Sequence, residues 1–438
     1  MAGIRFNPRD MIMPPFKTCP KCGKAEFGVH GIHGDRVLRR CRDCWYSHNV
    51  PLPSVRKKII YLDQFVISEF AKLRNPQARG HERVRANPFW QQAYDLLFQL
   101  RQLQMICCPD SGSHQEESRI STINADLKKM YEHLSGGITF EPFDGIKSMQ
   151  IGELARAWAE RRDPFFDFAP RRVLSSDPDE WSQRYYITFQ DNPFLIPANI
   201  LYSRRALHAE IVRLFTDVWG KEKRTFDYWY NLERTEYQKD LAQVAMKSQR
   251  ERWEVALSFR PGKDTPLEQL DKMMPSFAEN LLESILHIFQ FPREGGLRSQ
   301  TEMTELMKGF REANPIAEAP FLKLQAMMYA VIAMRAAGGQ KQPPNEGMAT
   351  DIDTVAHILP YCDAMFVDNE CRALLLNIPR RLQPEWVSRV FSMRVKDNFL
   401  AYLREIRNGI TKEHVEGLRE AYGDRDLTGV PAARPEQT

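Results

Sequence analysis

Two pairs of cysteines constrain this chain more than any other feature. The segments CPKC and CRDC contain Cys19 and Cys22, then Cys41 and Cys44, with 18 residues between the pairs. Each CxxC turn directs two thiolates towards one point, and four thiolates form the tetrahedral shell that Zn²⁺ accepts in structural sites. The spacing therefore predicts a zinc ribbon over residues 1–50, whose folding depends on the metal.

The residues between the cysteine pairs indicate how this ribbon is built. The stretch GKAEFGVHGIHGDRVLRR has the pattern of a β-hairpin, with a turn near Gly34 and Asp35. Two disulfides are the competing interpretation of the four cysteines, and a reducing compartment disfavours them. Four thiolates leave no open coordination position, so the zinc is expected to be structural and not catalytic.

Positive charge is concentrated in the ribbon. Residues 1–60 contain 12 Lys/Arg and four Asp/Glu, a net charge of +8, whereas the whole chain carries +4. A basic module with interleaved aromatic residues favours contact with RNA or single-stranded DNA. The residues expected to make this contact are Arg36, Arg39, Arg40, Arg42 and Trp45. A charged ribbon without a nucleic acid partner, or one that binds protein, remains the alternative.

The sequence contains no sign of a membrane or secretory segment. No window reaches the ~18 consecutive apolar residues of a membrane span. The N-terminus MAGIRFNPRDMIMPPF has Pro, Asp and Arg where a signal peptide needs an apolar run. We therefore expect a cytoplasmic protein that binds no membrane and whose thiols are reduced. The four remaining cysteines are expected to pack in the core.

Short apolar runs at both ends of the chain predict a parallel sheet. IIYL (59–62), MICC (105–108) and AMFV (364–367) are strand candidates, and amphipathic helical patterns dominate the residues between about 122 and 340. Short strands that alternate with helices are typical of an α/β fold. SHNVPLPSVRKK (47–58), with three basic residues at its end, is expected to link the ribbon to this sheet.

Acidic residues recur where the predicted strands end or where the adjoining helices begin. In an open α/β sheet the carboxyl ends of the strands line the ligand crevice. The candidates are Asp63, Glu116, Glu117, Asp351, Asp353 and Asp368. Each alone fits a helix cap, a first-turn acid or a solvated side chain. Because several of these acids recur at the strand ends of one predicted sheet, a shared active site is favoured over unrelated roles.

Several carboxylates held together require a compensating cation. Like charges repel one another, and burial increases the cost of keeping them ionised. Hard oxygen ligands suit Mg²⁺ or Mn²⁺. Such ions can activate a water molecule and stabilise the leaving oxygen of a phosphodiester. The pattern therefore predicts a metal-dependent hydrolase.

These segments also resemble a known family. IIYLDQFVIS resembles the first strand and following helix of PIN-like nuclease domains. DIDTVAHILPYCDAMFVDNE is similar to the late helix and fourth strand of that family, and RVFSMRVKDNFLAYL is similar to its closing strand and helix. The resemblance covers roughly residues 57–120 and 345–408 and leaves out the long helical insertion.

The resemblance implies a parallel sheet between helices and metal-dependent cleavage of RNA or, less often, DNA. Carried over, Asp63 corresponds to the first acid and Asp368 to the last. The third acid is Asp353, with Asp351 as the alternative, and the second is Glu117 or Glu116. Mg²⁺ or Mn²⁺ would be held by Asp63, Asp353 and Asp368.

The expected organisation follows from these segments. It comprises a zinc ribbon (1–50), a first part of the PIN-like domain (57–120), a helical insertion (121–344), a second part (345–425) and a flexible tail (426–438). A free-standing nuclease of this architecture suggests a toxin or a defence effector, which a protein regulator could restrain. The alternative is an inactive PIN-like module that binds nucleic acid or protein. The oligomeric state is left open.

Overall fold

Two four-stranded sheets organise the chain. The computed structural model describes residues 7–119, 121, 123–183, 208–258, 273–292 and 296–424. The first sheet contains β1 (Met13–Lys17), β2 (Phe27–His33), β3 (Arg36–Cys41) and β4 (Ser47–Pro51). The second contains β5 (Lys58–Leu62), β6 (Ile106–Cys107), β7 (Ala364–Phe366) and β8 (Val390–Phe391).

The first sheet is the cysteine-bearing ribbon. Its strands are antiparallel in the order β1-β2-β3-β4. The predicted hairpin is confirmed: His33 pairs with Arg36 across a turn in which Gly34 has φ +57°. Glycine adopts this left-handed conformation without a steric penalty. The predicted linker begins later than expected, because residues 47–51 pair with β3 as strand β4.

The second sheet is parallel throughout, as predicted. Its order is β6-β5-β7-β8, with Ile60 opposite Ala364 and Met365 opposite Val390. The two central strands come from opposite ends of the chain. Segments far apart in sequence thus meet at the same edge of the sheet.

Helices cover both faces of the parallel sheet. Side chains alternate along β5, so Ile60 and Leu62 point to one side while Ile59 and Tyr61 point to the other. The helices are α1 (Gln64–Arg74), α2 (His81–Arg85), α3 (Pro88–Gln102), α4 (Gly112–Arg119), α5 (Asn124–Ser135), α6 (Phe143–Glu160), α7 (Phe226–Ser258), α8 (Phe277–Gln290), α9 (Gln300–Ala313), α10 (Pro320–Ala337), α11 (Met348–Ile358), α12 (Asn369–Leu376), α13 (Lys396–Asn408) and α14 (Lys412–Tyr422).

One face packs against α1, α3, α5 and α13, and the other packs against α10, α11 and α12. Helices α6 to α10 add a further apolar cluster that includes Leu154, Ile285, Phe289 and Phe321. The helical character expected between the two halves of the sheet is therefore present in the described residues of that segment. Within those same ranges, no helix has the length and apolar character needed to cross a membrane.

The ribbon packs directly on the parallel-sheet body. Val29, Ile32 and Val37 on its inner side are buried with Val415 and Leu418 of α14. Burial of these side chains removes apolar surface from water and ties the start of the chain to its C-terminal helix. The ribbon is thus held in a fixed position on the body.

Candidate functional site

The four ribbon cysteines converge, as their spacing predicts. The Sγ atoms of Cys19 and Cys44 are 3.6 Å apart, and those of Cys22 and Cys41 are 3.7 Å apart. All four sulfur atoms lie within 4.8 Å of one another. Zinc–sulfur bonds of about 2.3 Å in a tetrahedron place the sulfur atoms about 3.8 Å apart. The cluster could therefore hold a zinc ion with protein ligands alone.

Arg39 has a structural role that the sequence did not reveal. Its side chain is only 1% exposed, and its Nε donates a hydrogen bond of 2.6 Å to Oε1 of Glu420 in α14. The same guanidinium donates to the main-chain carbonyls of Glu420, Pro15 and Phe27. The prediction that Arg39 contacts nucleic acid is wrong, because the side chain is buried and its guanidinium is paired with Glu420 inside the protein.

The other predicted ribbon contacts divide into two groups. Arg42 donates to the main-chain carbonyl of Ile12, and its guanidinium lies 4.4 Å from the centre of the Phe16 ring. Its side chain therefore makes contacts within the ribbon. Arg36 is exposed. Arg40 lies 5.7 Å from the centre of the Trp45 ring, and Trp45 is 41% exposed. Arg36, Arg40 and Trp45 remain accessible to a partner.

Asp63 and Asp368 follow two neighbouring parallel strands. Asp63 comes directly after β5, and its backbone N–H donates to the carbonyl of Phe366 at the end of β7. Asp368 caps α12, since its carboxylate accepts a 2.6 Å hydrogen bond from the N–H of Cys371. Asp63 occupies the corresponding position before α1, but its carboxylate forms no capping hydrogen bond. The N–H groups of Gln64 and Phe65 nevertheless oppose the rise in its pKa, so the start of α1 still stabilises the ionised carboxylate.

A small polar cavity lies at this carboxyl edge of the sheet. Its volume is about 20 Å³, and Asp63, Glu117 and Asp351 line it. Tyr61, Ser113, Thr350 and Thr354 also line it, and none of its lining residues is a lysine or arginine. A volume of this order holds a water-sized species. The cavity therefore has the size and donor chemistry of a cation site.

The carboxylates at this cavity raise one another's pKa. Burial, followed by the charges of Asp368 and Glu117, raises the pKa of Asp63 to about 7. Burial, followed by the charge of Asp63, raises the pKa of Asp351 to about 8. The ionised forms are disfavoured because nearby negative charge is not balanced by a basic side chain. A divalent cation would supply that balance.

The structure brings Asp351, and not Asp353, to the cavity. Residues two apart on a helix point about 200° away from each other. Asp353 faces the helical body, where its carboxylate accepts a 2.8 Å hydrogen bond from Gln325. Burial raises its pKa to about 6, and Lys147 opposes that rise. Of the two acids expected at the third position, Asp351 and not the favoured Asp353 therefore lies at the cavity.

Of the two neighbouring glutamates, Glu117 lines the cavity and Glu116 does not. Their positions on α4 differ by about 100°, so their side chains point in different directions.

Asp110 is a further buried acid nearby, and burial raises its pKa to about 6. It accepts a hydrogen bond from Gln115 but does not line the cavity.

His114 is a lining residue that the sequence did not single out. Its ring stacks between Tyr61 at 4.7 Å and Tyr131 at 5.0 Å, and it is 2% exposed. Neither ring nitrogen has a hydrogen-bond partner in the described part of the chain. Burial lowers its pKa to about 3, although the nearby Leu62 carbonyl opposes this. A neutral imidazole therefore lines the same cavity as the carboxylates at physiological pH.

The carboxylate oxygen atoms are more widely spaced than the cysteine sulfurs. Across the described ranges, the cysteine cluster is the one group of three or more such side chains whose ligand atoms all lie within 4.8 Å of one another. The carboxylate donor set nevertheless suits Mg²⁺ or Mn²⁺ in its chemistry, its charge and the size of its cavity.

Comparison with known protein families, with curated proteins and with solved structures gives no match to this chain.

Proposed function

We propose that this chain is a metal-dependent nuclease with a PIN-like α/β domain, which hydrolyses phosphodiester bonds of RNA or single-stranded DNA. One observation carries the proposal: Asp63, Glu117 and Asp351 share a cation-sized cavity at the carboxyl edge of a parallel sheet, with Asp368 beside it. The resemblance of residues 57–120 and 345–408 to PIN-like domains supports the same conclusion.

The residues have distinct roles in this proposal. Asp63, Asp351 and Asp368 would hold Mg²⁺ or Mn²⁺, and Glu117 would complete the negative wall of the cavity. When bound, such an ion lowers the pKa of a water molecule and stabilises the leaving oxygen of a phosphodiester. The carboxylates would hold the ion in place, and stacking with Tyr61 and Tyr131 fixes the neutral His114 in the wall of the same cavity.

The cavity itself is too small for a nucleotide, so the substrate would approach from outside it. At about 20 Å³ it can admit an ion or a water molecule. The scissile phosphate would therefore lie outside the cavity, next to the carboxylates that line it. Arg36, Arg40 and Trp45 on the ribbon would bind the substrate's backbone and exposed bases.

A pair of matched variants tests the assignment of the third acid. Asp351→Asn should abolish metal-dependent cleavage of a labelled single-stranded RNA, whereas Asp353→Asn should leave most of it, because only Asp351 lines the cavity. Both proteins should retain zinc and a cooperative unfolding transition. Equal loss in the two variants would contradict the assignment.

The ribbon contact has a separate test. Binding of single-stranded RNA by the cleavage-deficient Asp63→Asn protein should weaken as salt rises, since neutralised phosphates release counterions. Charge reversal at Arg36 and Arg40 should weaken binding and reduce the salt slope. RNA binding that does not change in this variant would show that the ribbon does not bind the substrate, and would favour a role for the ribbon in binding protein.

A further inference from the structure

A second cleft lies at the opposite edge of the parallel sheet. Lys57 and Lys58 stand at the start of β5, Asp363 directly precedes β7, and Arg389 directly precedes β8. The cleft has a volume of about 470 Å³. The five residues of β5 place it roughly 16 Å from the carboxylate cavity. It is therefore distinct from the proposed catalytic site.

Positive charge dominates this cleft. Its lining includes five cationic residues, Arg56, Lys57, Lys58, Arg171 and Arg389, against the carboxylates of Asp179 and Asp363.

Both carboxylates are already engaged. Asp363 pairs with Lys58 at 2.8 Å and also accepts the N–H of Ile59. Asp179 accepts the backbone N–H of Lys57 at 2.9 Å. The arginines at 56, 171 and 389 are all exposed. The five cationic residues therefore carry more positive charge than the two acids of the cleft can balance.

Lys57 gives an independent indication that an anion belongs here. The residue is 6% exposed, and its ammonium donates a 2.6 Å hydrogen bond to the carbonyl of Glu180. This carbonyl is the one acceptor found for it within the described residues, although an ammonium has three donors. Burial, with a contribution from Arg101, lowers its pKa to about 8. The charges of Asp179 and Glu180 offset only part of this cost, and a bound anion would add to the pairing that a buried charge normally has.

We propose that this cleft binds the phosphate chain of a nucleoside di- or triphosphate. Guanidinium groups match phosphate oxygens in bidentate geometry, and a lysine ammonium adds a point charge. The volume falls within the range of roughly 300–1,000 Å³ that is typical of small-molecule sites. Phe168 and three prolines (170, 178 and 360) in the lining provide apolar surface beside the phosphate-binding groups. This site does not depend on the proposed nuclease activity.

The test is binding of ATP to the full-length, zinc-loaded protein, measured by calorimetry without added Mg²⁺ or Mn²⁺. Omission of these metals prevents ATP from binding through an ion at the carboxylate cavity. Arg171→Ala and Arg389→Ala should each weaken binding by roughly tenfold, the loss of one charge-assisted contact. Both side chains are exposed, so the variants should fold. Arg79→Ala, which removes an exposed arginine outside the cleft, should bind ATP like the wild type.

Inorganic triphosphate should compete with ATP for the same site. Absence of ATP binding would overturn the proposal, as would ATP binding that neither cleft variant changes. Binding of a single-stranded oligonucleotide that ATP does not displace, weakened by the same two variants, would also overturn it and would identify a nucleic acid path. None of these outcomes depends on cleavage, so failure here is distinguishable from failure of the nuclease assignment.

Discussion

Removal of the Asp351 carboxylate should stabilise the protein in the absence of Mg²⁺ and Mn²⁺. Its pKa rises from an ordinary value of 3.8 to about 8 in the folded chain, first through burial and then through the charge of Asp63. An acid whose folded-state pKa is raised costs stability as the pH rises from its unfolded value towards its folded value. The free energy of unfolding should therefore fall between pH 4 and pH 8.

The size of this effect follows from the same difference. At pH 7 the unfolded chain gains about 4 kcal/mol from ionising this group, a gain that the folded chain largely forgoes. Relaxation around the cavity reduces this value, so we expect Asp351→Asn to be about 2–4 kcal/mol more stable than wild type at pH 7. The advantage should disappear below about pH 3, where the wild-type group is protonated in both the folded and the unfolded chain.

The assay is urea denaturation followed by tryptophan fluorescence, at several pH values, on zinc-loaded protein. Glu116→Gln is the matched control, because Glu116 lies on the same helix as Glu117 but does not line the cavity. Added Mn²⁺ should stabilise the wild type by mass action and stabilise Asp351→Asn less. A variant no more stable than wild type at pH 7, or a gain that does not change with pH, would refute this reasoning.

The remaining predictions concern the ribbon. Cys22→Ser should reduce zinc content below one ion per chain and unfold the ribbon, as judged by metal analysis and limited proteolysis; full zinc content would contradict the four-thiolate site. Glu420→Ala should lower the free energy of unfolding by about 3–5 kcal/mol, because it leaves the buried guanidinium of Arg39 without its carboxylate. Lys17→Ala removes the exposed partner of the same carboxylate and should lower the free energy of unfolding by less than about 1 kcal/mol. Equal losses in Glu420→Ala and Lys17→Ala would show that the buried Arg39 does not depend on its ion pair with Glu420.

The sequence predicted those parts of the fold that depend on local patterns. The runs at 59–62 and 364–367 are apolar and each is followed by an acid, and both became central strands. The convergence of the cysteines and the hairpin between them follow from short spacings in the same way. Parallel strands end at one edge, so the meeting of Asp63 with Asp368 was predictable once both strands were recognised.

The parts that could not be predicted depend on rotation and on distant contacts. Whether Asp351 or Asp353 faces the cavity depends on the rotation of α11 against the sheet, which residues on several other helices determine. The buried side chain of Arg39 is paired with Glu420, which lies 381 positions later in the chain. Nothing near Arg39 in sequence distinguishes it from the exposed Arg36 or the accessible Arg40.

His114 illustrates the same difficulty at the site itself. Its place beside the carboxylates is fixed by stacking between Tyr61 and Tyr131, which come from a strand and a helix on either side of it in the chain. A lone histidine among polar residues carries no periodic signal. Only the fold shows that both of its ring nitrogens are buried at a cavity lined by acids.

The catalytic role of Asp63 is tested by comparing cleavage by the wild type with cleavage by Asp63→Asn. Both proteins would be incubated with labelled single-stranded RNA, single-stranded DNA and duplex DNA, in Mn²⁺, in Mg²⁺ or in chelator. We expect that the wild type alone cuts a single-stranded substrate, only with metal, while Asp63→Asn stays folded and zinc-loaded. Cleavage that survives in Asp63→Asn, or absence of cleavage by a folded, zinc-loaded wild type under every condition, would contradict this expectation.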